Sequence, residues 1–102
     1  MPAFKTLEVE HLQSTLTDNS CVLLDCRTTP DYKIEHMEDA LHAHDALVES
    51  LLKNADKNKH IVIYCYHGHS SEHLAELFAN FGFNNVYSLA GGFDAWRKFN
   101  AQ

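Results

Sequence analysis

Three short apolar runs punctuate the chain: Val22-Leu23-Leu24 ending in Asp25, Ile61-Val62-Ile63-Tyr64 ending in Cys65, and Val86-Tyr87-Ser88-Leu89 ending before Gly91-Gly92. Each is too short for a helix and nearly continuous in apolar character, the pattern of strands buried on both faces of a parallel sheet. The polar pair Asn19-Ser20 introduces the first run, Ala40-Leu41-His42 predicts a shorter fourth strand, and Phe4-Lys5-Thr6-Leu7 predicts an edge strand. Between the runs the spacing becomes helical. Val9, Leu12 and Leu16 form one stripe, and Leu47, Val48, Leu51 and Leu52 form another that fades into the polar stretch from Asn54 to Lys59. The clearest helix carries Leu74, Leu77, Phe78 and Phe81 at i, i+3, i+4 and i+7, with Gly82 to stop it. A last short helix is expected after Gly92, burying Phe93, Trp96 and Phe99, with a frayed tail Asn100-Ala101-Gln102. Strands alternating with helices predict an α/β fold with a mainly parallel sheet between helical layers.

A length of 102 residues, 45% apolar and 22% charged, fits a single globular domain over residues 1–102. No apolar run approaches the roughly 20 residues needed to span a bilayer. The start Met1-Pro2-Ala3-Phe4-Lys5 lacks the basic-then-apolar form of a signal peptide. A soluble, cytoplasmic protein with no membrane partner is expected. The balance of 14 acidic against 8 basic residues, net −6, disfavours a nucleic-acid partner. It also requires that any anionic substrate meet a locally positive pocket.

The cysteines are Cys21, Cys26 and Cys65, an odd number without Cys-x-x-Cys spacing, so a disulfide framework is not expected. Cys21 and Cys26 read as packing residues, with the Cys26 side chain facing away from that of Asp25. Cys65 differs, because it closes a central strand at the end where parallel sheets bind ligands. Tyr66-His67-Gly68-His69-Ser70-Ser71 then leads into the strongest helix. Gly68 permits a positive φ, and Ser70 or Ser71 suits an N-cap. A strand, a cysteine, a tight loop and a helix N-terminus bring backbone N–H groups and a partial positive charge toward one sulfur. Stabilising its anion by about 2 kcal/mol would lower the thiol pKa by roughly 1.5 units and make thiolate about half the population at neutral pH.

The loop Cys65 to Ser71 resembles the active-site loop of the rhodanese family, and within it that of the short single-domain thiosulfate sulfurtransferases of the GlpE type. Leu23-Leu24-Asp25-Cys26-Arg27 with Tyr32 and His36 through Ala40 to His42 resembles the upstream signature of that family. Val86 through Gly91-Gly92 to Trp96 resembles the downstream one. The resemblance runs from Val22 to Trp96 in the expected order, and implies a rhodanese-like five-stranded sheet flanked by helices on both faces. It also implies a mechanism. The Cys65 thiolate takes the outer sulfur of thiosulfate or another sulfane-sulfur donor, sulfite leaves, and the Cys65 persulfide passes its sulfur to cyanide, a small thiol or a thiol protein. No metal or organic cofactor is required. The backbone from Tyr66 to Ser70 would cradle the anion, with His67, His69, Ser70 and Ser71 as further substrate contacts. Asp25 and Arg27 match the family's upstream pair and are assigned a structural role beside the site. Glu35 and Asp39 stand where the family often has glycine.

Other readings share these residues. Rhodanese-like phosphatases and arsenate reductases carry an arginine after Cys-x5; here that position is Ser71, so no guanidinium grips a phosphate-like anion. Inert rhodanese-like binding modules usually lose the cysteine, which this chain keeps. A persulfide carrier loaded by another protein would use the same Cys65. A metal site could draw on His67, His69 and His73, but no cysteine pair completes it. The loop has no lysine or arginine, so His67 and His69 are candidates to attract an anionic donor, with affinity weakening as pH rises.

Overall fold

The computed structural model describes residues 4–18 and 20–101. Met1 to Ala3, Asn19 of the polar pair before the first run, and the terminal Gln102 lie outside the described residues. Strands β1 (Phe4–Leu7), β2 (Cys21–Asp25), β3 (Leu41–His42), β4 (His60–Tyr64) and β5 (Asn85–Leu89) form one sheet in the order β1-β5-β4-β2-β3. Every pairing is parallel. Helices α1 (Leu12–Asp18), entered by a 3-10 turn at Val9–His11, α2 (Thr29–Ile34), α3 (Asp45–Asn54), α4 (His69–Asn80) and α5 (Gly92–Asn100) make the connections. No helix among the described residues is long and apolar enough to cross a membrane.

β4 is the central strand, and its alternation builds both cores. Ile61 and Ile63 point to the face covered by α3 and α4, where they meet Leu24, Ala75, Phe78, Phe83 and Val86. Val62 and Tyr64 point to the opposite face, among Leu7, Leu12, Leu23, Met37, Leu89 and the α5 residue Phe93. All four side chains are fully buried. At about 1.5–3 kcal/mol for each buried aliphatic side chain, this strand anchors the sheet and fixes where its C-terminal residue emerges.

The structure departs from the sequence expectations in several places. Helix α2 was not foreseen, because six residues are too few for a periodic stripe. It is specified instead by its start: Thr28 caps the Asp31 amide and Pro30 sits in the first turn. Helix α4 begins at His69, with Gly68 as its cap in a left-handed conformation, φ 112°. Ser70 and Ser71 therefore lie inside the first turn and are not the N-cap. Its buried stripe is Ser71, Ala75 and Phe78, while Leu77 and Phe81 line an open groove against α3. Phe99 is exposed, and Asn100 is the last residue of α5, its side-chain amide donating to the Trp96 carbonyl at 2.7 Å. Asp39, at a position where glycine was noted as usual, adopts φ 67°.

Candidate active site

Cys65 follows directly on β4, and its side chain lies on the α3–α4 face of the sheet, against the first turn of α4. Only 3% of the residue is exposed, but the surroundings of its sulfur are polar. The Gly68 N–H donates to Sγ at 3.1 Å and the Ser71 N–H at 3.3 Å. Ser71 Oγ lies 3.4 Å from the sulfur, 2.8 Å from Ser88 Oγ and 3.2 Å from the Gly68 carbonyl. With Cys65 ionised, the Ser71 hydroxyl is the donor to sulfur and Ser88 donates to Ser71. Both serines are buried, so the chain of hydroxyls is shielded from competing water.

Gly68 makes this convergence possible. Its left-handed conformation turns the chain so that its own amide and that of Ser71, on the first turn of the helix, face the same atom. The carbonyls of the loop are held by a different element. Phe93 N–H donates to Cys65 O at 2.8 Å, and Asp94 N–H to Tyr66 O at 3.2 Å. These donors are orphan amides of the α5 N-terminus. Gly92 lets them approach: a Cβ there would collide with the Cys65 carbonyl oxygen and stand 2.8 Å from the Tyr66 carbonyl carbon.

Cys26, the residue that follows β2, also lies beside this sulfur. The neighbouring Cys26 thiol is the largest influence holding the Cys65 pKa down. Burial opposes it, and the Ser71 hydroxyl and the Ser71 and Gly68 amides reinforce it, with the net result at about 4. The cost falls on Cys26, whose thiol is pushed strongly upward by the neighbouring Cys65 sulfur and by burial. Cys65 is therefore the thiolate of the pair, and Cys26 the thiol.

The residues singled out from sequence divide into groups. Gly68 and Ser71 meet the sulfur directly. His67, His69 and Ser70 are exposed at the rim. Tyr66 turns its hydroxyl away, to Asp31 and Thr28 at the start of α2, and so ties the loop to that helix. Asp25 and Arg27 lie on the other side of the sheet. Arg27 Nη2 meets Asp25 Oδ2 at 2.7 Å, Nε lies 3.1 Å from both carboxylate oxygens, and the guanidinium stacks 3.9 Å from the centre of the Phe93 ring. That pair links β2 to the helix whose amides hold the loop. Cys21 packs near α1 and donates to the Thr15 carbonyl at 3.6 Å. Cys26 does pack on the α3–α4 core as expected, but the strand register also sets it beside Cys65.

Sequence reasoning missed the roles of Cys26, Ser88 and Gly92. The only sequence signal for them was position: Cys26 one residue beyond its strand's apolar run, Ser88 interrupting the apolar run of β5, and paired glycines immediately after it.

This geometry has close relatives. The rhodanese-like domain family model matches residues 8–99. A protein of Pseudomonas fluorescens named thiosulfate sulfurtransferase GlpE is 36% identical over 97 residues, covering 95% of this chain and 88% of its own. One of the same name from Coxiella burnetii is 37% identical over 92 residues, covering 88% and 86%. The solution structure of a rhodanese-like domain from an Anabaena protein superposes with a TM-score of 0.80 at 24% identity, over 97% of this chain and 75% of that one. The five-stranded parallel sheet, the loop closing on Cys65 and the match along nearly the whole sequence lead to one assignment: this chain belongs to the rhodanese-like domain family.

Proposed function

We propose that the protein is a thiosulfate sulfurtransferase with Cys65 as the sulfur carrier. The observation that carries this reading is the convergence of three donors, the Gly68 and Ser71 amides and the Ser71 hydroxyl, on one sulfur held far below the ordinary thiol range. Such a sulfur is a nucleophile at neutral pH without help from a general base. The names of the relatives from Pseudomonas fluorescens and Coxiella burnetii support thiosulfate as donor.

In the first half-reaction the Cys65 thiolate attacks the outer sulfur of thiosulfate. The sulfur–sulfur bond breaks and sulfite departs with its electron pair. The outer sulfur of the resulting persulfide carries the negative charge, and the loop from Tyr66 to Ser71 supplies amides to hold it, as an oxyanion hole holds oxygen. In the second half-reaction cyanide or a thiolate attacks that outer sulfur and the Cys65 thiolate leaves. A low leaving-group pKa speeds this step, so the same donors serve both halves. Position 71 gives the loop a serine hydroxyl where a phosphatase would carry a guanidinium, and that hydroxyl is committed inward to Cys65 and Ser88. The three free cysteines and the exposed loop suit a reducing compartment such as the cytoplasm.

The test is a single-turnover experiment without acceptor. Mixing the reduced chain with thiosulfate releases about one equivalent of sulfite, because one nucleophile takes one sulfur. Cys65→Ser releases none while keeping its circular dichroism spectrum. Equal sulfite release by Cys65→Ser contradicts the assignment.

A further inference from the structure

The placement of Cys26 beside Cys65 has a structural origin in the sheet. β2 and β4 pair in parallel from Cys21–His60 to Asp25–Tyr64. The Cys26 amide continues the ladder by donating to the Tyr64 carbonyl at 2.9 Å. The next step of that register sets Cys26 beside Cys65 on neighbouring strands. Registered residues of a parallel pair share a face, and Cys26 packs on the α3–α4 face, where Ser71 meets Cys65. Neighbouring strands lie about 4.8 Å apart, inside the roughly 4.4–6.8 Å window of Cα separations that a disulfide spans. The Cys26 side of the pair is not sealed. It lines, with Ser70, His73, Leu77 and Phe81, the open groove of about 660 Å³ between α3 and α4.

We propose that Cys26 is a resolving cysteine, which attacks the inner sulfur of the Cys65 persulfide, closes a Cys26–Cys65 disulfide and expels the outer sulfur as hydrosulfide. This rests on the reading of Cys65 as the sulfur carrier and extends it to a second activity, the reduction of sulfane sulfur. The atom that Cys26 faces is Cys65 Sγ, which becomes the inner sulfur once the persulfide has formed. The bond formed joins the two cysteine sulfurs, and the bond broken is that between Cys65 Sγ and the outer sulfur. The Cys26 proton goes to the departing sulfur, so a thiol and a persulfide anion give a disulfide and a hydrosulfide anion. Two electrons pass from the cysteine pair to the sulfane sulfur, and no external oxidant enters. The loop amides that hold the outer sulfur stabilise its charge as it leaves. The disulfide must then be reopened by a dithiol through thiol–disulfide exchange, and the groove at Cys26 gives such a reductant its approach.

The experiment compares the full chain with Cys26→Ala and with the closer-fitting Cys26→Ser. Each is reduced, freed of added thiol, and mixed with thiosulfate at about pH 8.5, where even an unassisted thiol is about half ionised. Sulfite, sulfide and intact mass are followed. The proposal predicts that all three release sulfite. Only the unmodified chain then releases about one equivalent of sulfide and loses about 2 Da, with Cys26 and Cys65 peptides linked and a yield independent of protein concentration. Both variants hold about 32 Da of extra mass on Cys65 and release on the order of tenfold less sulfide. A stable persulfide on the unmodified chain, sulfur found on Cys26, or equal sulfide from the variants overturns the proposal. Absence of sulfite from all three defeats the sulfurtransferase reading itself, a result distinct from each of these.

Discussion

Cys65 draws its ionisation from hydrogen bonds and not from a neighbouring cation. Two amides, a serine hydroxyl and a thiol replace the lysine or arginine that an acidic protein would otherwise spend at this point. The donors are separable. Cys26→Ala removes the neighbouring thiol, the largest influence holding the Cys65 pKa down, and should raise that pKa by roughly 1–2 units. The pH profile of iodoacetamide alkylation reads this directly, since the rate follows the thiolate fraction; an unmoved midpoint would remove Cys26 from the set. Ser71→Ala acts differently. It deprives buried Ser88 of its partner as well as Cys65, and should lower stability by about 1–3 kcal/mol in addition to raising the midpoint. Asp39→Gly tests a backbone cost. Relief of the left-handed conformation is worth about 1–2 kcal/mol and glycine's extra unfolded-state entropy about 0.5–1, so a net gain near 0.5–1 kcal/mol is expected in urea unfolding.

Among the elements, the site belongs to three helices as much as to its loop. Helix α4 supplies the Ser71 amide, α5 holds the loop carbonyls, and α2 receives the Tyr66 hydroxyl. The α5 contact depends on Gly92. Gly92→Ala should push α5 off the loop, cost about 2 kcal/mol or more in stability, and slow the sulfite burst, whereas full activity and stability would show that the loop stands without α5. The strands β2, β4 and β5 were legible in the sequence because burial on both faces makes their runs continuously apolar. Helix α2 was illegible because its six residues owe their form to a cap and a proline, not to a stripe. The exposure of Leu77 and Phe81 on that helix has a related reason. Periodicity marks an apolar face, but the small residues Ser71 and Ala75 mark where α4 packs closest to the sheet.

For the molecule as a whole, the sheet order decides what the site contains. Placing β4 between β5 and β2 brings Ser88 and Cys26 to either side of the reactive strand end, and neither neighbour follows from local sequence. The cysteine at the strand end and its loop were legible; the residues that surround its sulfur awaited the strand order. Across the sheet, buried Arg27 joins β2, the Glu35 carbonyl and the Phe93 ring. Arg27→Met strands the Asp25 charge and should cost about 3–5 kcal/mol, much of it recovered in the double variant Asp25→Leu with Arg27→Met, because replacing a whole buried pair is far milder than halving it. The central claim is that this architecture holds Cys65 as a thiolate that accepts sulfur. The rate of the acceptor-free sulfite burst, measured from pH about 5 to about 9, tests it most directly. With the Cys65 pKa at about 4, the rate should stay flat across that range and be absent in Cys65→Ser. A rate that climbs about tenfold per pH unit toward a midpoint near 8.5, as for a free thiol, would contradict it.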